Sequence, residues 1–136
     1  MTVREQPIQE YVRVAEFRSA LRRFVRGSER AARRSGLTPQ RYLLLLMIKG
    51  APSGEQRSTV TELADRLQLA QSTVTELVGR AADAGLVQRE QSEEDGRVAF
   101  LRLTDEGERR VVEAFAALES DRKQILDALL SLAKTL

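Results

Sequence analysis

Apolar residues recur every three or four positions along most of the chain, which is the spacing of amphipathic helices. Residues 8–34 follow this pattern without interruption and carry two apolar stripes before a Ser-Gly pair ends them. The next segment starts with Thr38 at the N-cap and Pro39 at the first helical position. It is apolar on nearly every side as far as Lys49, so the pattern predicts a central core helix.

Two shorter amphipathic patterns follow, joined by a short connector through Leu69 and Ala70. We expect Thr61 to cap the first of these helices and Gly85 to end the second. The polar face of the second helix begins with uncharged side chains that would not obstruct entry into a groove. These are Gln71, Ser72, Thr73 and Thr75. Two helices, a tight turn and a polar leading edge predict a helix-turn-helix.

Two strand-like segments come next, Leu86–Gln91 and Arg97–Leu103, and Ser92–Gly96 supplies turn residues between them. This pattern predicts a hairpin that follows the helix-turn-helix as a wing. Arg57–Val60 is a candidate for a further short strand beside it. The expected fold is therefore mainly α with a small β-hairpin wing.

The last helical region, which we expect Thr104 to cap, carries apolar residues in alternating steps of four and three, with Arg122 in the one interrupting position. These steps form a heptad seam. Its members are Val111, Phe115, Leu118, Ile125, Leu129, Leu132 and Leu136. One bent helix or two helices, the second starting near Ser120-Asp121, both fit the pattern. Packing against the first helix explains part of the seam, and homodimerisation through both chain ends, with Val12 of the first helix, accounts better for the whole.

Composition excludes several kinds of chemistry. The 136 residues include no Cys and no His, which removes disulfides, thiolate chemistry and the commonest general base and metal ligand. No nucleophile–base pair stands out, so we expect neither an enzyme nor a bound metal or cofactor. No apolar run approaches the length of a membrane helix and the N-terminus lacks a signal-like apolar region, so we expect a cytoplasmic protein.

Charge is distributed unevenly, although the net charge is only +2. Residues 1–36 hold nine Arg and four Glu, for a net charge of +5, whereas residues 60–103 hold five Arg and eight acidic residues, for a net charge of −3. An acidic helix-turn-helix is unusual for a DNA reader, because phosphate neutralisation supplies much of the affinity. The Arg-rich part of the first helix either reaches DNA or simply faces water, and water is the commoner outcome.

Four motifs occur in order at 72–107: STVTELVGRAADAGLV, then Arg89, Asp95-x-Arg97 and Leu103-Thr104-x-x-Gly107. Together they resemble the MarR (multiple antibiotic resistance regulator) family of winged-helix transcription regulators. The resemblance implies one domain over residues 1–136. Within it, 1–36 and 104–136 would be dimerisation helices and 37–103 the winged helix-turn-helix lobe.

The resemblance further implies a homodimer on a pseudo-palindromic double-stranded operator, most often as a repressor. The expected DNA-binding residues are Gln71, Ser72, Thr73, Thr75, Arg80, Arg89 and Arg97. Alternatives exist for several of them: Ser72 and Thr73 could cap the helix, Arg80 could pair with Glu76, and Arg89 could form a salt bridge across the hairpin. A winged helix used for protein–protein contact is the alternative function.

Members of that family often bind a small aromatic or phenolic effector between the terminal helices and the DNA-binding lobe. The residues that combine apolar walls with a cation here are Phe17, Arg18, Leu21, Tyr42 and Met47. Ordinary core or surface packing is the commoner role for each of them.

Overall fold

Six helices and one two-stranded hairpin make up residues 3–134, the part of the chain that the computed structural model describes. In chain order they are α1 (Ile8–Arg34), α2 (Pro39–Lys49), α3 (Val60–Leu67), α4 (Gln71–Asp83), β1 (Val87–Gln91), β2 (Ala99–Leu103), α5 (Asp105–Ala117) and α6 (Glu119–Ala133). The predicted fold class, mainly helical with a hairpin wing, is confirmed. Within residues 3–134 no helix is both long and apolar enough to cross a membrane.

The α2 helix lies at the centre of the core, as its sequence predicts. Leu44, Leu45 and Ile48 are completely buried, and α2 packs against α3, α4, α5 and β2. The N-cap is also as predicted, because the Thr38 hydroxyl accepts a hydrogen bond from the Arg41 backbone N–H at 3.2 Å. The wing and both helices of the helix-turn-helix therefore pack against the same central helix.

The start of α3 differs from the prediction. Thr59, rather than Thr61, is the N-cap: its hydroxyl accepts from the Glu62 N–H at 3.2 Å and also contacts the Glu62 carboxylate at 3.2 Å. The hydroxyl therefore satisfies one free N–H group of the first turn and donates its own proton to the Glu62 carboxylate. Because the chain turns into the cap at once, the predicted strand 57–60 is reduced to a single bridge between Ser58 and Leu101.

The end of α4 is as predicted. Gly85 adopts φ +76, the left-handed conformation in which glycine carries no side-chain penalty. Its N–H reaches the carbonyl of Ala82 at 3.0 Å, and the N–H of Leu86 reaches the carbonyl of Ala81 at 2.9 Å. These two bonds form a Schellman motif, which ends the helix and directs the chain into β1.

Two glycines of this region give a matched stability test. Gly85→Ala is expected to lower the free energy of unfolding by about 1 kcal/mol, because alanine is strained at positive φ. Gly79 lies inside α4, where an added methyl group meets nothing within 4 Å. Gly79→Ala is therefore expected to raise the free energy of unfolding by up to about 1 kcal/mol. Urea unfolding of both variants measures the difference; equal effects of the same sign would contradict the assigned helix end.

The hairpin pairs in antiparallel register, with Val87 opposite Leu103 and Glu90 opposite Phe100. Both strands are shorter than predicted, since β1 starts one residue later and β2 two residues later. The turn between them is correspondingly longer, and it is closed by a hydrogen bond from the Ser92 N–H to the Val98 carbonyl at 2.9 Å. The Asp95 side chain organises this turn by accepting a hydrogen bond from the Arg97 N–H at 3.0 Å.

The last helical region is two helices, because the chain bends at Leu118. The heptad seam is divided between two environments. Val111 and Leu118 are buried in the chain's own core, 1% and 2% exposed, so they have no surface left for a partner. Phe115 and Leu129 remain about half exposed. The packing of α1 along α6 covers the inner part of the seam, as the intramolecular alternative required. Leu136 lies outside the described residues.

An ion cluster ties α5 to the turn between α1 and α2. The Glu106 carboxylate accepts from Arg109 and, at 2.7 Å, from Arg110, which also donates to the Gly36 carbonyl at 2.9 Å. The hydrogen bonds from Arg109 and then Arg110 lower the pKa of Glu106 to about 2. The cluster thus holds a charged carboxylate at ordinary pH.

This cluster predicts a pH dependence. Because the folded-state pKa of Glu106 lies below its unfolded value, its stabilising contribution is complete above about pH 4.5 and is lost as the pH falls toward about 2. Glu106→Gln cannot titrate, so the stability difference between wild type and this variant is expected to shrink between about pH 6 and about pH 3. Chemical denaturation at several pH values measures it; a constant difference would contradict the assignment.

Candidate nucleic-acid interface

The leading edge of α4 is an exposed polar surface of the helix-turn-helix. One face of the helix is buried, since Val74, Val78 and Ala81 are fully covered and Leu77 is 8% exposed. The opposite face carries the four uncharged residues singled out in the sequence, all of them exposed: Gln71, Ser72, Thr73 and Thr75. A helix fixed by its apolar face and presenting short polar side chains has the form needed to enter a major groove.

The N-terminus of α4 is not capped by a side chain. Its N-cap residue is Ala70, so Ser72 and Thr73 lie inside the first turn and the capping alternative for them does not hold. The preceding turn is fixed by Gln68, which adopts the left-handed conformation at φ +56. The first-turn N–H groups of α4 have no partner within the helix, and such groups bind phosphate readily.

Arg80 takes the intrahelical alternative. Its guanidinium contacts the Glu76 carboxylate at 2.7 Å, and both side chains are 64% exposed. The pair neutralises the acid that would otherwise face a phosphate backbone. Surface pairs of this kind are weak, so Arg80 remains free to exchange Glu76 for a phosphate.

The wing carries two of the singled-out arginines in different settings. Arg97 at the tip is 94% exposed, and its ion pair within the described part of the chain is with Asp95, at 3.5 Å. Arg89 on β1 is exposed, and no ion pair to it exists among residues 3–134, so the predicted bridge across the hairpin is absent there. The bridge that does cross the hairpin joins Glu90 to Arg102.

A cluster that the sequence analysis missed lies at the base of the wing. Arg57 contacts Glu90 at 3.4 Å and Glu55 at 3.1 Å, and its guanidinium stacks 4.0 Å above the ring centroid of Phe100. Arg102 shares the Glu90 carboxylate and donates to the Glu55 carbonyl at 3.2 Å. The strand register alone would have predicted that Glu90 lies opposite Phe100. It would not have predicted the contact with Arg57, which lies 33 residues from Glu90 in the sequence.

The five residues proposed for an effector do not form one site. Arg18 and Leu21 line an open groove whose other lining residues also belong to α1. Tyr42 is 3% exposed in the core, where burial raises the pKa of its hydroxyl. Phe17 and Met47 are partly buried on α1 and α2.

A different pocket, of about 250 Å³, lies between α2 and α5. Its lining is almost entirely apolar: Leu46, Lys49, Gly50, Val111, Val112 and Phe115. Among residues 3–134 no group of three or more acidic side chains is placed to hold a metal ion.

The fold and this interface define a winged helix-turn-helix protein. The sequence pattern of the MarR family matches residues 35–98, which cover the lobe from α2 to the wing turn. The chain belongs to the MarR family. It is 33% identical to the HTH-type transcriptional repressor MdtR of Bacillus subtilis (strain 168) over 98 residues, which cover 72% of this chain and 58% of MdtR.

Solved structures agree with the fold. AbsC, a MarR family transcriptional regulator from Streptomyces coelicolor, superposes with a TM-score of 0.74 at 23% identity, over 98% of this chain and 93% of AbsC. Sco3205, a MarR family regulator from the same organism solved in complex with DNA, gives a TM-score of 0.68 at 26% identity, over 93% of this chain and 79% of Sco3205.

Proposed function

We propose that this protein is a sequence-specific transcription regulator that binds double-stranded DNA as a homodimer, most simply as a repressor. The observation that carries the proposal is the uncapped, exposed and uncharged leading edge of α4. Gln71 is suited to read adenine, while Ser72, Thr73 and the first-turn N–H groups are suited to phosphate. Similarity to a named repressor and to a regulator bound to DNA supports the same conclusion.

The acidic charge of residues 60–103 is compatible with this function because two of the acids near the proposed DNA-facing surface are paired. Glu76 pairs with Arg80, and Glu90 pairs with Arg102 and with Arg57, a cation from outside this range. A docking module for a protein partner would be expected to expose apolar anchors at the leading edge, and that edge is polar.

Dimerisation would use the apolar residues that the folded chain leaves exposed on its terminal helices. We call them the terminal apolar surface: Ile8, Tyr11 and Val12 on α1, and Leu126, Leu129 and Leu130 on α6, all between 43% and 72% exposed. Ile125 and Leu132, partly buried on α6, would border it. The lobe 37–103 would then project from a dimeric base formed by 1–36 and 104–136.

Release by a small molecule would use the pocket between α2 and α5. Because α5 belongs to the dimeric base and α2 is the core helix of the lobe, an occupant there would change the angle between the two parts. The apolar lining suits an aromatic ligand, and Lys49 at one side pairs with Glu108.

The decisive experiment is an in vitro selection from a randomised duplex library with the full chain. We expect recovery of a pseudo-palindrome whose half-sites lie about one helical turn apart, and binding that weakens steeply as salt rises. Recovery of no consensus, together with salt-insensitive or absent binding, would favour the protein-docking alternative.

Removing the wing-tip cation gives a prediction within this function. Arg97→Ala is expected to weaken binding roughly tenfold to a hundredfold, about equally for all sequences, and to lower the salt dependence by about one counterion per wing. Fluorescence anisotropy at several salt concentrations measures both effects. Arg109→Ala, an exposed α5 arginine outside the lobe, is the charge-matched control; a base-specific loss in the Arg97 variant would contradict the wing assignment.

A further inference from the structure

The wing is a two-stranded hairpin, and such a hairpin holds little structure by itself. Its inner face is anchored by Val87 and Leu101, which are 3% and 2% exposed. The tip, with Arg97, extends beyond these contacts and is 94% exposed. The direction in which the tip points must therefore be set by contacts at the outer face of the hairpin.

The contacts on that outer face converge on one carboxylate. Glu90 of β1 accepts from Arg102 of the neighbouring strand and from Arg57, which precedes α3. Arg57 is only partly exposed, at 27%, and is held by Phe100 and Glu55 as well. Three segments thus meet here: the loop before the helix-turn-helix and both strands of the wing.

Arg57 lies two residues before Thr59, the cap of α3. Because α3 packs against α4, the network links the wing to α4 through one short segment, in addition to the direct contacts between α4 and β1. The single bridge between Ser58 and Leu101 runs beside it and fixes the backbone at the same point. A change in the network would tilt the wing relative to α4 without disturbing the buried core.

We propose that Glu90 and Arg57 are positioning residues for DNA binding, which set the angle of the wing so that Arg97 and the leading edge of α4 reach the duplex together. This inference rests on the proposed function. It assigns neither residue a direct contact with DNA: each acts through Arg97.

Opposite charge changes distinguish positioning from simple electrostatics. Glu90→Gln removes a negative charge, and electrostatics alone would strengthen binding to a polyanion. Positioning requires the reverse. Glu90→Gln and Arg57→Gln change the net charge in opposite directions. We expect both to weaken DNA binding, each by most of the factor by which Arg97→Ala weakens it.

The matched control is Glu93→Gln on the same wing. Glu93 is exposed and forms no ion pair within residues 3–134, so its replacement removes the same charge without removing an ion pair of the network. It is expected to leave binding unchanged or slightly tighter. The probe is the duplex recovered by the wild-type protein in the selection above, and thermal unfolding shows that each variant is folded at the binding temperature.

A double-mutant cycle with Arg97 completes the test. If the network acts through Arg97, Glu90→Gln and Arg57→Gln have no further effect in an Arg97→Ala background. Three results would each overturn the positioning role. The losses of DNA affinity could be additive with that of Arg97→Ala, they could occur only where the variant is unfolded at the binding temperature, or Glu90→Gln could bind DNA as Glu93→Gln does. Failure of the wild type to bind any duplex would instead remove the proposed function itself, which keeps the two failures distinguishable.

Discussion

Replacing Leu126 and Leu130 together with glutamate is expected to separate the proposed dimer into monomers, with a loss of dimer affinity of at least about a thousandfold. Both side chains belong to the terminal apolar surface and are 56% and 59% exposed in the single chain. Exposed apolar side chains this close together on one short helix are unusual unless a partner covers them.

The size of the effect follows from symmetry. In a two-fold dimer each substitution occurs twice, so the pair removes four leucines from the interface. Completing the burial of a half-exposed leucine contributes about 1 kcal/mol, and every 1.4 kcal/mol or so changes an equilibrium constant about tenfold. Placing glutamates in an apolar interface adds a desolvation cost to this loss.

Sedimentation equilibrium measures the dimer, and circular dichroism measures whether the chain retains its helices. Leu43→Glu is the matched control, because Leu43 is an exposed leucine, 42%, on α2 rather than on a terminal helix. A double variant that still sediments as a dimer would show that the interface lies elsewhere. Since the two recognition helices must be held together to read a palindrome, the monomer is also expected to lose specific DNA binding.

Local chemistry made much of the fold predictable from the sequence. Thr38-Pro39, Gly85 and Thr104 mark helix ends by side-chain bonds or backbone conformations that depend on a few neighbouring residues. The start of α3 was mispredicted for a related reason. Thr59 and Thr61 both resemble caps in isolation, and the choice between them depends on Glu62 and on Ser58, which pairs with Leu101 far along the chain.

Contacts between distant segments were not predictable in this way. The heptad seam is a property of one helix face, and its periodicity does not say which copy of the chain covers each residue. Val111 and Leu118 are covered from within, whereas Leu129 is left about half exposed. The network at Glu90 was missed because the strand-like pattern at Arg57–Val60 indicated a segment beside the wing but not which side chain Arg57 would contact.

Placing a carboxylate on the leading edge of α4 is expected to weaken DNA binding without lowering the stability of the fold. Ser72→Glu puts a negative charge in the first turn of a helix whose N-terminus has no side-chain cap, so the helix should be unchanged or stabilised by up to about 1 kcal/mol. The same charge would face phosphate in each half-site, and we expect operator binding to fall at least about a hundredfold. Because salt screens the repulsion, the ratio of wild-type to variant affinity should be largest at low salt. Ser72→Gln, of the same size without the charge, is the control; an unaltered affinity in Ser72→Glu would show that this edge of α4 does not face DNA.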